Sequence, residues 1–315
     1  MNKEPNIQDV QNALSRITSF IHKTPVLTSE TVNSKVGGEI FFKCENFQKT
    51  GSFKMRGASN AILSLSSEES KKGVVTVSSG NHGAAVAHAA TLNGIQSYVV
   101  TPQSTNPVKI QAMKRYGAEL IFCESTIESR ETTYQEVQKD TGAIPVHPFN
   151  DYRVITGAGT VALELINELN EFDFIVVPIG GGGLISGTGV VASDLLPKVK
   201  LIGVEPELAD YGRMSLVSGK IAPSKYPDTL ADGLRATVGE KPFPMIQKYV
   251  SEILTVSENE ILEAMRLIWE RLKIIVEPSS AVTLAAIFKY SEKFSGKKTG
   301  VILSGGNVDL SQLKW

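Results

Sequence analysis

At roughly 150 residues per domain, the 315-residue chain points to two domains, and 42% hydrophobic against 21% charged residues supply core enough for a globular fold. Lysine plus arginine number 32 and aspartate plus glutamate 33, a net charge of −1 that argues against a phosphate-binding surface for nucleic acid. No apolar run approaches the roughly 18 residues needed to cross a bilayer, and two cysteines, Cys44 and Cys123, make neither a disulfide framework nor a zinc site. The start, Met1-Asn2-Lys3-Glu4-Pro5-Asn6, is polar and lacks a signal-peptide stretch, so a cytoplasmic location is expected.

Ile7, Val10, Leu14, Ile17 and Ile21 recur at helical spacing, which predicts an amphipathic opening helix that stops before Pro25. Short apolar runs then alternate with helical stretches. Strands are predicted at 39–43, 74–77, 97–101, 120–123, 144–147, 174–178, 201–205, 253–256 and 300–303. Helical periodicity separates most of them, for example over 108–116, 154–169 and 261–272. Ser257-Glu258-Asn259-Glu260 is a capping box that opens the last of these. Alternating elements with continuous apolar strands predict an α/β fold with two doubly wound parallel-sheet domains. No Ser/Gly-rich linker divides them, so one domain is expected to be inserted into the other.

In such sheets ligands collect at the carboxyl ends of strands. Gly180-Gly181-Gly182-Gly183 follows the strand 174–178 and precedes a helix, leaving backbone N–H groups uncovered for a phosphate dianion. A tight turn needs only one glycine, and no Gly-Lys-Ser/Thr follows to make a P-loop. Ser78-Ser79-Gly80-Asn81-His82-Gly83 presents hydroxyl and amide groups at a second helix start, though Ser and Asn are also ordinary caps. Ser304-Gly305-Gly306-Asn307 closes the final strand. Lys54 lies in Gly51-Ser52-Phe53-Lys54-Met55-Arg56-Gly57, where small and apolar neighbours favour a lowered pKa and a nucleophilic amine. A phosphate cup, a reactive lysine and neutral hydroxyl and amide groups are the parts that pyridoxal phosphate requires.

Those four segments and Glu277-Pro278-Ser279-Ser280 resemble, in order and spacing, the serine/threonine dehydratase and serine racemase family. These are fold-type II, tryptophan synthase β-like pyridoxal-phosphate enzymes, and the likeness runs from about Ile7 to Leu310. The resemblance implies a large domain of 1–72 plus 149–315 and a small inserted domain of 73–148, with the cofactor between them. Lys54 is then the Schiff-base lysine and si-face base, Phe53 lies against the pyridine ring, and Asn81 bonds the phenolic oxygen. Gly180, Gly181, Gly182 and Gly183 hold the phosphate, and Ser304 meets the pyridine nitrogen. Ser79 matches the re-face acid/base of racemases. Ser78, Ser79, Asn81 and His82 belong to the loop for the substrate carboxylate, which Arg130 matches an arginine for approaching.

The implied activity is β-elimination from L-serine, L-threonine or a similar hydroxy amino acid, giving a 2-oxo acid and ammonia. Phe149, in His147-Pro148-Phe149-Asn150, matches the aromatic of dehydratases and favours that reading over the alternative, a serine racemase with side elimination. Glu205 and Ala209 match a divalent-cation loop for Mg²⁺ or Ca²⁺, but Tyr211 stands where the third ligand is usually aspartate. Lys49, Thr50, Lys273 and Asn307 fall where some members bind ATP between subunits, and a homodimer is expected. Eight residues follow Asn307, too few for the regulatory domain of biosynthetic threonine dehydratases, so isoleucine feedback is not expected.

Overall fold

β-branched runs bounded by glycine and polar residues become strands in the computed structural model, which describes residues 3–224 and 227–310. Met1 and Asn2, cited above for the polar start, lie outside the described residues, as do 311–315. Ten strands are described: β1 (Val26–Leu27), β2 (Glu39–Cys44), β3 (Val74–Val77), β4 (Ser97–Pro102), β5 (Glu119–Cys123), β6 (Ile144–Pro145), β7 (Phe174–Pro178), β8 (Lys200–Pro206), β9 (Val250–Val256) and β10 (Lys298–Leu303). Nine of them coincide with predicted strands. The tenth, β1, is two residues long and shows no periodicity; antiparallel pairing of Val26 with Lys43 and Leu27 with Phe42 creates it.

Two α/β sheets result, ordered β1-β2-β10-β7-β8-β9 and β5-β4-β3-β6. Apart from β1–β2, the strand pairings are parallel. The smaller sheet is drawn from one continuous stretch of chain, 74–145, between β2 and β7 of the larger. All five residues of β7 are buried, as expected for a strand covered by helices on both faces. Val176 packs into one face cluster with Phe42, Val204 and Val301, and Val177 into the other with Ile155, Ile185 and Ile302. Each such side chain contributes about 1.5–3 kcal/mol by leaving water.

The predicted helices appear with shifted ends: Ile7–Ile17, Pro107–Arg115, Tyr152–Leu169 and Glu258–Leu267, the last continued by a π turn, Ile268–Leu272. The capping box at Ser257 and Glu260 is formed. Helix Tyr152–Leu169 is the hub. A Cβ on Gly157 would lie 2.6 Å from the Arg56 carbonyl oxygen, and one on Gly159 would lie 2.8 Å from that of Gly187. Glycine at both positions therefore lets helices Lys54–Leu63 and Gly183–Leu195 press their backbones onto the hub. Among the described residues, no helix is long and apolar enough to cross a membrane.

Beneath this junction lies a buried ion cluster. Arg56, fully buried, donates from Nε and Nη2 to Glu45 at 2.7 and 2.8 Å, and from Nη1 and Nη2 to Glu164 at 2.8 Å each. Lys43, also buried, donates to Glu164 at 2.7 Å and to the Thr24 carbonyl at 2.7 Å. Two cations thus face two carboxylates with their donors satisfied, the condition under which buried charge is tolerated.

Candidate active site

The segments singled out in the sequence converge between the two sheets. Ser52 and Gly305 form a β-bridge, and the Phe53 amide donates to the Ser304 carbonyl at 2.9 Å. Asn307 Nδ2 donates to the Thr50 carbonyl at 2.7 Å and to Asn81 Oδ1 at 2.9 Å, which joins the segment after β10 to the one after β3. Asn106 reaches Asp309 at 2.8 Å, and Lys109 pairs with Asp232, so the small sheet's helix is also clasped to the large domain. A cavity of about 290 Å³ lies along this seam, lined by Thr50, Gly51, Asn81, Lys109 and Asn307 among others.

Lys54 opens the helix Lys54–Leu63. Its Nζ donates to the Pro148 carbonyl at 2.9 Å and lies 5.0 Å from the centroid of the Phe53 ring. Burial pushes its pKa down to about 8, partly opposed by the Glu277 carboxylate. The apolar setting inferred from the sequence therefore has the effect a nucleophilic amine needs. His147 and His82 are both held neutral, at about 4 and about 3, by burial and then by the Lys54 charge. His147 Nδ1 accepts from the Asn150 amide at 2.9 Å and so shapes the turn that presents Pro148.

The glycine segment is a cradle that side chains would fill. Gly182, at φ +88°, caps the 13-residue helix Gly183–Leu195, whose first N–H groups face the loop. A Cβ on Gly180 would sit 3.0 Å from the Gly233 carbonyl oxygen, and one on Gly181 2.1 Å from Cγ of Phe149. Phe149 thus roofs the cradle, its ring edge-on to His147 at 4.6 Å. Across the seam, Ser304 Oγ is buried 3.1 Å from Ser280 Oγ, which also accepts from the Gly305 amide at 2.8 Å. Amine, anion cradle and buried hydroxyl together fit pyridoxal phosphate.

Other residues are placed differently from one another. Ser79 is exposed, directly before the cavity-lining Gly80 and Asn81, whereas Ser78 Oγ accepts the Gly80 and Gly83 amides at 3.2 and 3.0 Å and so shapes the loop. Asn81 Nδ2 lies 3.0 Å from both Glu277 oxygens. The His82 ring is 3% exposed with Nε2 on the Val146 carbonyl, and its buried Nδ1 has no partner among the described residues. Arg130 lies on helix Ile127–Thr141 in the small domain, where its charge partly opposes the upward push of burial on the Cys123 thiol, and its buried Nε has no partner among the described residues. Among the described residues no hydrogen bond or ion pair ties Arg130 to the convergent segments. Of the residues at the comparable ATP positions, Thr50 and Asn307 line the cavity; Lys49 lies in the turn Lys49–Gly51 and Lys273 in a left-handed residue after the π turn.

The cation loop does not fit its expected ligand. Glu205, 1% exposed, accepts the Gly212 and Arg213 amides at 2.7 and 2.9 Å, and burial pushes its carboxyl up to about 8. Tyr211 is buried beside Ala209, and Asp210 is paired with Arg213. Among the described residues, no three His, Cys, Asp or Glu side chains group to hold a metal ion.

Sequence reasoning assigned no role to Glu277, His147 or Pro148. Glu277 stood in a quoted motif, directly before the Pro278 that starts a helix, but its partner Asn81 is 196 positions away and adjacent only in the fold. Burial pushes Glu277 up to about 7.

The model for the pyridoxal-phosphate dependent enzymes matches residues 17–305. The chain belongs to that family. This pyridoxal-phosphate dependent enzyme is 49% identical to a serine racemase of Dictyostelium discoideum over 98% of this chain and 96% of the other. It is 46% identical to a beta-hydroxyaspartate dehydratase of Paracoccus denitrificans strain Pd 1222, over 99% of each. The solved structure of maize serine racemase superposes with a TM-score of 0.95 at 44% identity, over 98% of this chain and 95% of that one. The enzyme is thus of the serine racemase and dehydratase type, with the fold-type II architecture expected from its motifs.

Proposed function

We propose that this enzyme is a serine racemase that also eliminates water from L-serine, releasing pyruvate and ammonia. The observation that carries the reading is its full-length likeness to serine racemases, and the exposed Ser79, next to the cavity-lining Gly80, supports it. The sequence alone put elimination first because of Phe149; the relatives move the weight to racemisation.

When bound, pyridoxal phosphate supplies the electron sink that acidifies the substrate's α-C–H bond. Gly180, Gly181, Gly182 and Gly183 are the proposed phosphate cradle, Ser304 the partner of the pyridine nitrogen, and Phe53 and Asn81 the groups beside the ring. Lys54 takes the α-proton on one face; its depressed pKa keeps much of the amine neutral near pH 8. Ser79 returns a proton on the other face. The 78–83 loop receives the substrate carboxylate. In this assignment 73–148 is the domain that grips the substrate and the remainder holds the cofactor.

Ser79→Ala tests the racemase role. It is expected to lower D-serine formation from L-serine by at least about 100-fold, the usual weight of a proton-transfer group, while pyruvate formation persists. Product analysis by chiral chromatography reads both, and equal loss of the two would contradict the role. A second reading, a dehydratase of serine, threonine or 3-hydroxyaspartate, is favoured by Phe149 over the cradle and by the Paracoccus relative.

A further inference from the structure

The loop between β8 and helix Tyr211–Ser218 carries its own positive charge. Glu205, at the carboxyl end of β8, is seated on the first turn of that helix: Oε1 takes the Gly212 amide at 2.7 Å and Oε2 the Arg213 amide at 2.9 Å. A Cβ on Gly212 would lie 2.7 Å from Oε1, so the acid and the helix start are in close contact. A helix N-terminus carries about half a positive charge, and Glu205 faces it from within the protein. The second acid, Asp210, takes Arg213 Nε at 3.0 Å and also Nη2. Tyr211 is 5% exposed and packs with Ala209 and Ala222.

We propose that this loop is a cation-independent form of the family's divalent-cation loop, in which the Gly212 and Arg213 amides hold Glu205, the Arg213 guanidinium holds the neighbouring Asp210, and Tyr211 stands in place of the third ligand. Mg²⁺ and Ca²⁺ seek six or more oxygen ligands, with carboxylates supplying the charge. Here one acid is spent on a helix start and the other on a guanidinium, and the third position is a buried aromatic ring in place of a carboxylate. A dication in this loop would sit beside Arg213 and the helix's positive end, with two like charges to repel it.

This inference does not depend on which reaction the enzyme catalyses, because thermal stability reads it directly. The holoenzyme, stripped with EDTA and returned to Mg²⁺ or Ca²⁺, is expected to keep its unfolding midpoint within about 1 °C. A cation bound at a hundredfold excess over its Kd would raise that midpoint by several degrees. Turnover of L-serine is likewise expected to be equal in EDTA and in Mg²⁺. A saturable rise of the midpoint with either cation, or activity lost in EDTA and restored by Mg²⁺, would overturn the proposal. Tyr211→Asp combined with Arg213→Ala supplies the missing carboxylate and removes the guanidinium, and is expected to acquire a saturable, cation-dependent rise. A folded double variant that gains no such rise would overturn the assignment of the block to Tyr211 and Arg213.

Discussion

Lys54→Ala is expected to remove the visible absorption of the cofactor-loaded protein and to lower turnover of L-serine by at least about 1,000-fold, since it deletes the residue proposed as both covalent anchor and proton-transfer group. Two other lysines are built into the structure but differently occupied: Lys43 is buried in contact with Glu164 and Thr24, and Lys109 is paired with Asp232. Neither presents an amine beside the glycine cradle, so neither replaces Lys54. The cost to the fold is small, because among the described residues the Lys54 side chain makes one hydrogen bond, to the Pro148 carbonyl. Far-ultraviolet circular dichroism should therefore match that of the unsubstituted protein. An unchanged visible band in a folded variant would overturn the assignment of Lys54.

The largest effect on stability is expected two residues further on. Arg56→Met keeps much of the side chain's volume but removes a guanidinium that satisfies Glu45 and Glu164 together. Two buried carboxylates then share Lys43 as the remaining cation of the cluster, and orphaning buried charge costs about 3–5 kcal/mol. Urea unfolding near neutral pH should show the loss as a lowered midpoint at an unchanged slope. The pH dependence carries a sign. Arg56 and Lys43 hold the Glu164 carboxyl below its ordinary value of 4.5, against the opposing effect of burial. That stabilisation is present above about 4.5 and is lost as pH falls through the lower folded value. The gap between Arg56→Met and the unsubstituted protein should therefore narrow below that pH. A variant as stable as the parent at neutral pH would show that the cluster is not what holds the helix of Lys54.

Much of this was legible from the chain itself. Continuous apolar runs such as Phe174 to Pro178 announce strands buried on both faces, and four successive glycines before a helix announce a strand-to-helix turn with no room for side chains. What local pattern cannot carry is adjacency across long separations. Glu277 meets Asn81, and Arg56 meets Glu164 over 108 positions, only because the two sheets close on each other. β1 exists only through pairing. His82 looks like a ligand in a polar loop, yet helix geometry turns its ring inward onto the Val146 carbonyl. The cation loop shows the same limit. Glu205 and Ala209 match by position, whereas the helix start and Arg213 that occupy the acids are visible only in three dimensions.

The measurement that bears most directly on the central claim is one incubation of the purified holoenzyme with L-serine, assayed for D-serine and pyruvate together. Racemisation with side elimination predicts both products, with D-serine comparable to pyruvate or in excess. Pyruvate alone, with no D-serine formed, would contradict the racemase reading and make the enzyme a dehydratase.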